Sequence, residues 1–158
     1  MNLHRTPAKA EPRLPFTILV VDDNKDFVEF LRLLLSHHGF EVRSALSGRQ
    51  CLDDLRAHRA DLVILDVMMP EMDGLEVCRE LRRTSPSVPI FLLTAKDDLT
   101  TRRSAMELGV SEFLAKPVNI EDFITRVRTQ CHISQWDKTL DPAFARTAEP
   151  DKGSEKQA

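Results

Sequence analysis

Five short runs of β-branched and aliphatic residues, each followed by a longer stretch with apolar residues at helical spacing, organise the chain from Phe16 to His132. That alternation admits few folds, because strands separated by amphipathic helices build a parallel α/β sheet. Strands are expected at Phe16–Val21, Glu41–Ala45, Asp61–Leu65, Pro89–Leu93 and Ser111–Ala115. The intervals of about twenty residues leave room for a right-handed helical crossover each time. The runs ILVV, LVIL and IFLL are apolar at every position rather than alternating. Such runs mark strands covered on both faces, so these three are expected at the centre of the sheet.

The helical stretches differ in how firmly they can be anchored. The first sets Phe27, Phe30, Leu31, Leu34 and Leu35 on one stripe, and Gly39 follows its last turn, where a left-handed cap is wanted. Ser47 caps a second stretch carrying Cys51, Leu52 and Leu55, and a third runs from about Leu75 through Cys78 and Leu81 until Ser85-Pro86 stops it. The fourth, from about Asp97 to Leu108, has only Leu99, Met106 and Leu108 among hydroxyls and arginines, so a lightly held, movable element is expected. Asn119 caps the fifth, with Asp122 in its first turn and Ile120, Phe123, Ile124 and Val127 facing the core; its end is expected near His132.

This pattern divides the 158 residues into a flexible N-terminal segment (1–15), one domain (16–132) and a polar tail (133–158) that reads as disordered. The first segment has no apolar run of the kind a signal or anchor needs, and no later run suits a membrane span. In the tail, Trp136, Leu140 and Phe144 recur every four residues, either as a docking stripe or with Trp136 folded back on the domain; Pro142 would break a helix through them. Lysine and arginine total 22 against 25 acidic residues, and a net charge of -3 gives no field for holding nucleic acid. Cys51, Cys78 and Cys131 show no CxxC spacing and each falls in an apolar helical pattern, which points to buried, reduced thiols in a cytoplasmic protein.

In an open parallel sheet, ligands bind beyond the carboxyl ends of the strands, where strand order reverses. There the chain carries Asp22-Asp23 after the first strand, Asp66 after the third, Thr94 after the fourth and Lys116-Pro117 after the fifth. Three carboxylates gathered within a few ångströms repel one another, and a divalent cation relieves that repulsion. Oxygen-only ligands in small number, with room for water, favour Mg2+. Lys116 and Thr94 can then meet the oxygens of a tetrahedral anion beside Asp66, so the site suits phosphoryl transfer to a carboxylate.

The segments VVDDN, LDVMMPEMDG, LLTAK and FLAKP, in this order at four strand ends, resemble the receiver domain of two-component response regulators over about Phe16 to His132. The resemblance implies a flavodoxin-like, doubly wound five-stranded parallel sheet of order 2-1-3-4-5 with five helices. It implies Asp66 as phosphoacceptor, with Asp23 and Asp66 ligating Mg2+, Asp22 acting through water and Met68 contributing its backbone carbonyl. It further implies that Thr94 and Lys116 turn to the phosphoryl group, that Phe113 is the switch aromatic moving with Thr94, and that the bond to Pro117 is cis. Read without the resemblance, Asp22 could cap the first helix, Lys116 could be a solvated lysine and Phe113 a core aromatic, while Pro70 and Gly74 shape the loop after Asp66.

The implied function is a phosphorylation-activated signalling switch rather than an enzyme acting on a separate substrate. A sensor histidine kinase or a histidine phosphotransfer protein would dock near the first helix. A downstream effector protein would read the face of helix four, strand five and helix five; a phosphorylation-dependent homodimer is a further expectation, and direct nucleic-acid or membrane binding is not expected. A stand-alone receiver is expected because no second globular pattern follows His132. Met68 and Lys96 would overhang the phosphoryl group and slow its loss. A haloacid-dehalogenase-like phosphatase is the alternative from another class, but its DxD arrangement after the first strand is not matched by Asp22-Asp23-Asn24. A flavodoxin relative would meet Asp22-Asp23 where the flavin phosphate belongs, and a pseudo-receiver would bind partners without phosphorylation.

Overall fold

In the computed structural model, residues 15–95 and 97–140 are described, the side chains of 136–140 excepted. The elements alternate as β1 (Thr17–Val21), α1 (Lys25–His37), β2 (Glu41–Ala45), α2 (Gly48–Ala57), β3 (Leu62–Leu65), α3 (Gly74–Thr84), β4 (Ile90–Thr94), α4 (Leu99–Glu107), β5 (Glu112–Ala115) and α5 (Ile120–Leu140). All pairings are parallel and the order is β2-β1-β3-β4-β5, so the sequence doubles back between β1 and β3. The three wholly apolar runs are the three central strands, as a sheet covered on both faces requires.

Successive strand residues point to opposite faces, and this splits the core in two. Leu19, Val63, Leu65, Ile90 and Leu92 pack with Cys51, Val77, Cys78, Leu81 and Ala105 beneath α2, α3 and α4. Ile18, Val20, Ile64, Phe91 and Leu93 pack with Val28, Leu31, Leu35, Phe123 and Val127 beneath α1 and α5. The three cysteines are buried and free, and burial pushes the Cys51 and Cys78 thiols up to about 12, far from reactive thiolates. No described helix is long and apolar enough to cross a membrane.

Several helical faces depart from the sequence pattern. Val28 takes the core position expected of Phe30, which is 45% exposed, and Leu34 is only partly buried. Leu99 and Met106, expected on the inner stripe of α4, face outward; only Thr101 and Ala105 are buried there, so α4 is held even more lightly than its sequence suggested. Ile120, expected in the core, is half-exposed at the start of α5. α5 does not stop near His132: Ile133 to Leu140, assigned to the polar tail, continue the helix, since no helix breaker precedes Pro142. His132 meets Phe16 edge to face at 5.2 Å and Ser134 is buried, which ties this stretch to the domain. Trp136's side chain, and the segments 1–14 and 141–158, lie outside the described residues.

Arg82 is a structural residue that periodicity does not reveal. From α3 it donates to the carbonyls of Leu108 (2.8 Å) and Gly109 (3.1 Å) after α4, and to those of Pro86 (3.1 Å) and Val88 (2.8 Å) before β4. One guanidinium thus satisfies the end of α4 and the turn that enters the sheet. Arg82→Ala is expected to cost about 2 kcal/mol of stability, read by urea denaturation; an unchanged midpoint would mean that water replaces all four contacts without loss.

Candidate functional site

The reversal of strand order between β1 and β3 opens a crevice at the carboxyl ends of the strands. Asp22 and Asp23 follow β1 directly, and the Asp66 N–H donates to the Val21 carbonyl (3.0 Å), which fixes Asp66 one step beyond β3. Thr94 closes β4 and is fully buried. The Lys116 N–H donates to the Thr94 carbonyl (2.9 Å), so β4 and β5 hold hydroxyl and amine side by side, and the Lys116–Pro117 bond is cis.

Asp22, 2% exposed, is held from two sides. Its Oδ1 accepts from the Asn24 N–H (2.9 Å) and its Oδ2 from Lys116 Nζ (2.7 Å). Asn24, not Asp22, caps α1, its Oδ1 accepting from the Phe27 N–H at 3.1 Å. Asp66, 8% exposed, accepts from the Met68 N–H at Oδ1 (3.2 Å), meets Lys116 Nζ at 3.5 Å through Oδ2, and bonds the Thr94 side chain. Oxygens of Asp22, Asp23 and Asp66 all lie within 4.8 Å of one another, Asp23 being the exposed member. Desolvation pushes the Asp66 carboxyl above the usual carboxylate range and Asp22 adds to this, while Lys116, Thr94 and the Met68 N–H pull it partway back.

That balance carries a stability prediction. A raised native pKa means that the folded chain holds the Asp66 proton more tightly than the unfolded chain, so the associated stability is present at acid pH and lost as pH rises through the native value. With chelator present, Asp66→Asn is expected to raise Tm by a few degrees at neutral pH, and the gain should vanish as pH falls below the ordinary carboxylate range. A Tm at neutral pH equal to or below that of the native chain would show that Lys116 fully compensates the buried charge.

Three converging carboxylates form an all-oxygen donor set that fits a hard divalent cation. The Thr94 side chain and the Lys116 ammonium reach the same Asp66 carboxylate. Gly74, at the start of α3, packs against the Asp66 backbone and donates its N–H to the Val67 carbonyl (2.8 Å). Phe113 is 9% exposed, and the Arg102 guanidinium lies over its ring at 4.8 Å while pairing with Asp97 at 2.7 Å. Met68 is 59% exposed; Lys96 lies outside the described residues. Phe27, set by pattern reading on the core stripe of α1, is partly buried against the core beneath α1 and α5, and its ring also faces Lys116 Nζ at 4.0 Å.

A family model described as the response regulator receiver domain matches residues 18–128. The response regulator MprA of Mycolicibacterium vanbaalenii is 45% identical over 115 residues, 73% of this chain and 50% of that protein. MprA of Mycobacterium sp. strain KMS is 39% identical over 145 residues, 92% of this chain and 57% of that protein. The chain thus spans about half the length of the curated relatives it matches. A CheY-like receiver domain protein from Methanospirillum hungatei superposes with a TM-score of 0.75 at 21% identity, covering 78% of this chain and 98% of that one, a likeness of fold. TrrA from Thermotoga maritima, solved in complex with Mg2+-BeF, superposes with a TM-score of 0.67 at 33% identity, covering 73% and 98%.

Proposed function

The chain belongs to the response regulator receiver domain family, and from that premise we propose that it is a phosphorylation-activated switch whose acceptor is Asp66. The observation that carries this reading is the environment of one carboxylate: buried Asp66 lies within reach of Lys116, Thr94, Asp22 and Asp23 together. An Asp66 oxygen attacks phosphorus as the bond to the donor's leaving atom breaks; that atom keeps the electron pair and takes up a proton. Asp22, Asp23, Asp66 and the Met68 carbonyl would hold Mg2+, which when bound offsets the charge on the transferring oxygens. TrrA, which shares this fold at 33% identity, was solved in complex with Mg2+-BeF, which supports Mg2+ as the ion. Lys116 and Thr94 hold two phosphoryl oxygens, one by charge and one by hydrogen bond.

The donor is a sensor histidine kinase or a histidine phosphotransfer protein. Phosphorylation adds roughly -1.5 to -2 charges at Asp66, and Thr94 and Lys116 shift toward them. Thr94 leads into weakly anchored α4 and Phe113 lies on the next strand, so a population shift reshapes the α4-β5-α5 face that an effector protein reads. Exposed Leu99 and Met106 give that face apolar contacts. Incubation with Mg2+ and acetyl phosphate is the test: one base-labile phosphoryl adduct by intact mass, lost on chelation, is expected. No adduct under any condition would sink the reading in favour of a pseudo-receiver. Met68, which shields the acceptor from attacking water, also sets the adduct's lifetime. Met68→Asn is expected to speed its decay about tenfold, and an unchanged half-life would remove Met68 from that role.

A further inference from the structure

Lys116 carries the positive charge on which the pocket depends, and three groups face its ammonium. Asp22 accepts from it at 2.7 Å, Asp66 stands at 3.5 Å, and the ring centroid of Phe27 lies 4.0 Å away. Phe27 belongs to α1, on a side of the pocket that the phosphoryl chemistry above leaves unused. Its position is fixed by a closed set of contacts. Asp22 accepts from the Asn24 N–H, the Asn24 side chain accepts from the Phe27 N–H, the Phe27 ring faces Lys116, and Lys116 returns to Asp22. The first turn of α1 is thereby locked to the buried carboxylate, and the lock delivers the ring to the ammonium. Phe30, one turn on, packs against the ring with centroids 6.4 Å apart.

An aromatic face suits this position better than the obvious alternatives. It attracts the cation through its quadrupole but adds no negative charge to compete with incoming phosphoryl oxygens. A further carboxylate would repel those oxygens and draw Lys116 away from them, and an aliphatic side chain would leave the ammonium held by Asp22 and Asp66 alone, with no attraction from the α1 side.

We propose that Phe27 is a positioning residue for phosphoryl transfer, its ring confining the Lys116 ammonium within reach of a phosphoryl group on Asp66. The inference rests on the phosphotransfer reading above. It is tested with three proteins of all 158 residues, native, Phe27→Leu and Phe27→Trp, by the rate of adduct formation with acetyl phosphate and by Mg2+ affinity measured separately. Phe27→Leu is expected to slow adduct formation about threefold to tenfold with Mg2+ affinity unchanged, and Phe27→Trp to stay within about twofold of native because it restores the aromatic face. In the unphosphorylated native protein, the Lys116 Cε protons, assigned by their loss in Lys116→Arg, should be shifted upfield by the ring and return to ordinary values in Phe27→Leu. A Leu variant as fast as native, equal slowing of the Leu and Trp variants, or unshifted Cε protons in the native protein would each overturn the role of Phe27 alone. A native chain with the upfield shift intact but no adduct would overturn the phosphotransfer reading, and this inference with it.

Discussion

Asp66→Asn is expected to gain no phosphoryl group from acetyl phosphate and Mg2+ under conditions where the native chain approaches one per molecule. The neighbouring carboxylates cannot substitute for it. Asp22 is 2% exposed and both its oxygens are engaged, one by the Asn24 N–H and one by Lys116 Nζ, so an attack from Asp22 would first have to break the pocket's shortest ion pair. Asp23 is exposed, and among the described contacts it meets neither Lys116 nor Thr94, so a phosphoryl group there would lack the groups that absorb its charge. Asparagine keeps the shape of Asp66 and its contact with the Met68 N–H but is not a nucleophile. The loss should therefore be complete rather than graded, while the fold survives. Intact mass of the two proteins side by side decides the matter; adduct on the variant would move the nucleophile to Asp22 or Asp23.

The largest expected loss of stability comes from adding a single methyl group. In Gly74→Ala the new Cβ would run into the Asp66 carbonyl oxygen, and it would lie 2.8 Å from Val67 Cα and 2.9 Å from the Asp66 carbonyl carbon. All three are backbone atoms of the segment that leaves β3, so no side chain can swing aside. Either α3 backs away from the sheet or Asp66 is pushed off its place. A cost of about 3 kcal/mol is expected, a Tm drop on the order of 10 °C, together with slower adduct formation because the acceptor itself is displaced. Gly39 is a contrast in cause. Its φ is +88° with nothing within 4 Å of an added Cβ, so Gly39→Ala suffers only backbone strain, about 1 kcal/mol. Thermal denaturation of both variants checks the ordering; a Gly74→Ala protein no less stable than Gly39→Ala would mean that the loop after Asp66 yields easily.

What was legible in the sequence follows from how narrowly each signal is constrained. ILVV, LVIL and IFLL, bounded by turn residues and alternating with helical stretches, suit strands covered on both faces, and the ends of the five strands mark where the crevice opens. Asp22, Asp23, Asp66, Thr94 and Lys116 were therefore readable from their positions. Helical faces are less constrained. An apolar stripe spans a wide arc, and on α1 the choice between Val28 and Phe30 depends on the angle at which the helix meets the sheet, which periodicity does not contain. On α4 the outward turn of Leu99 and Met106 has the same origin. α5 ran past His132 because the polar composition of Ile133 to Leu140 says little about a helix whose first turns are anchored by Phe123, Ile124, Val127 and Cys131. The bonds of Arg82 to Leu108 and Gly109 and the contact of Phe27 with Lys116 escaped for another reason: those partners are distant in sequence, and nothing local marks a residue by what it will meet.

The circuit that closes on Lys116 and Asp22 joins residues 94 positions apart in the chain. A ribosome must therefore have delivered everything through β5 before the acceptor meets its lysine, and a chain cut anywhere between β1 and β5 loses one side of the pocket. On the proposed reading, competence to receive a phosphoryl group would thus require every element from β1 through β5. A copy cut before β5 lacks the lysine that faces Asp66 and would give no adduct, whatever stray surfaces it still offered.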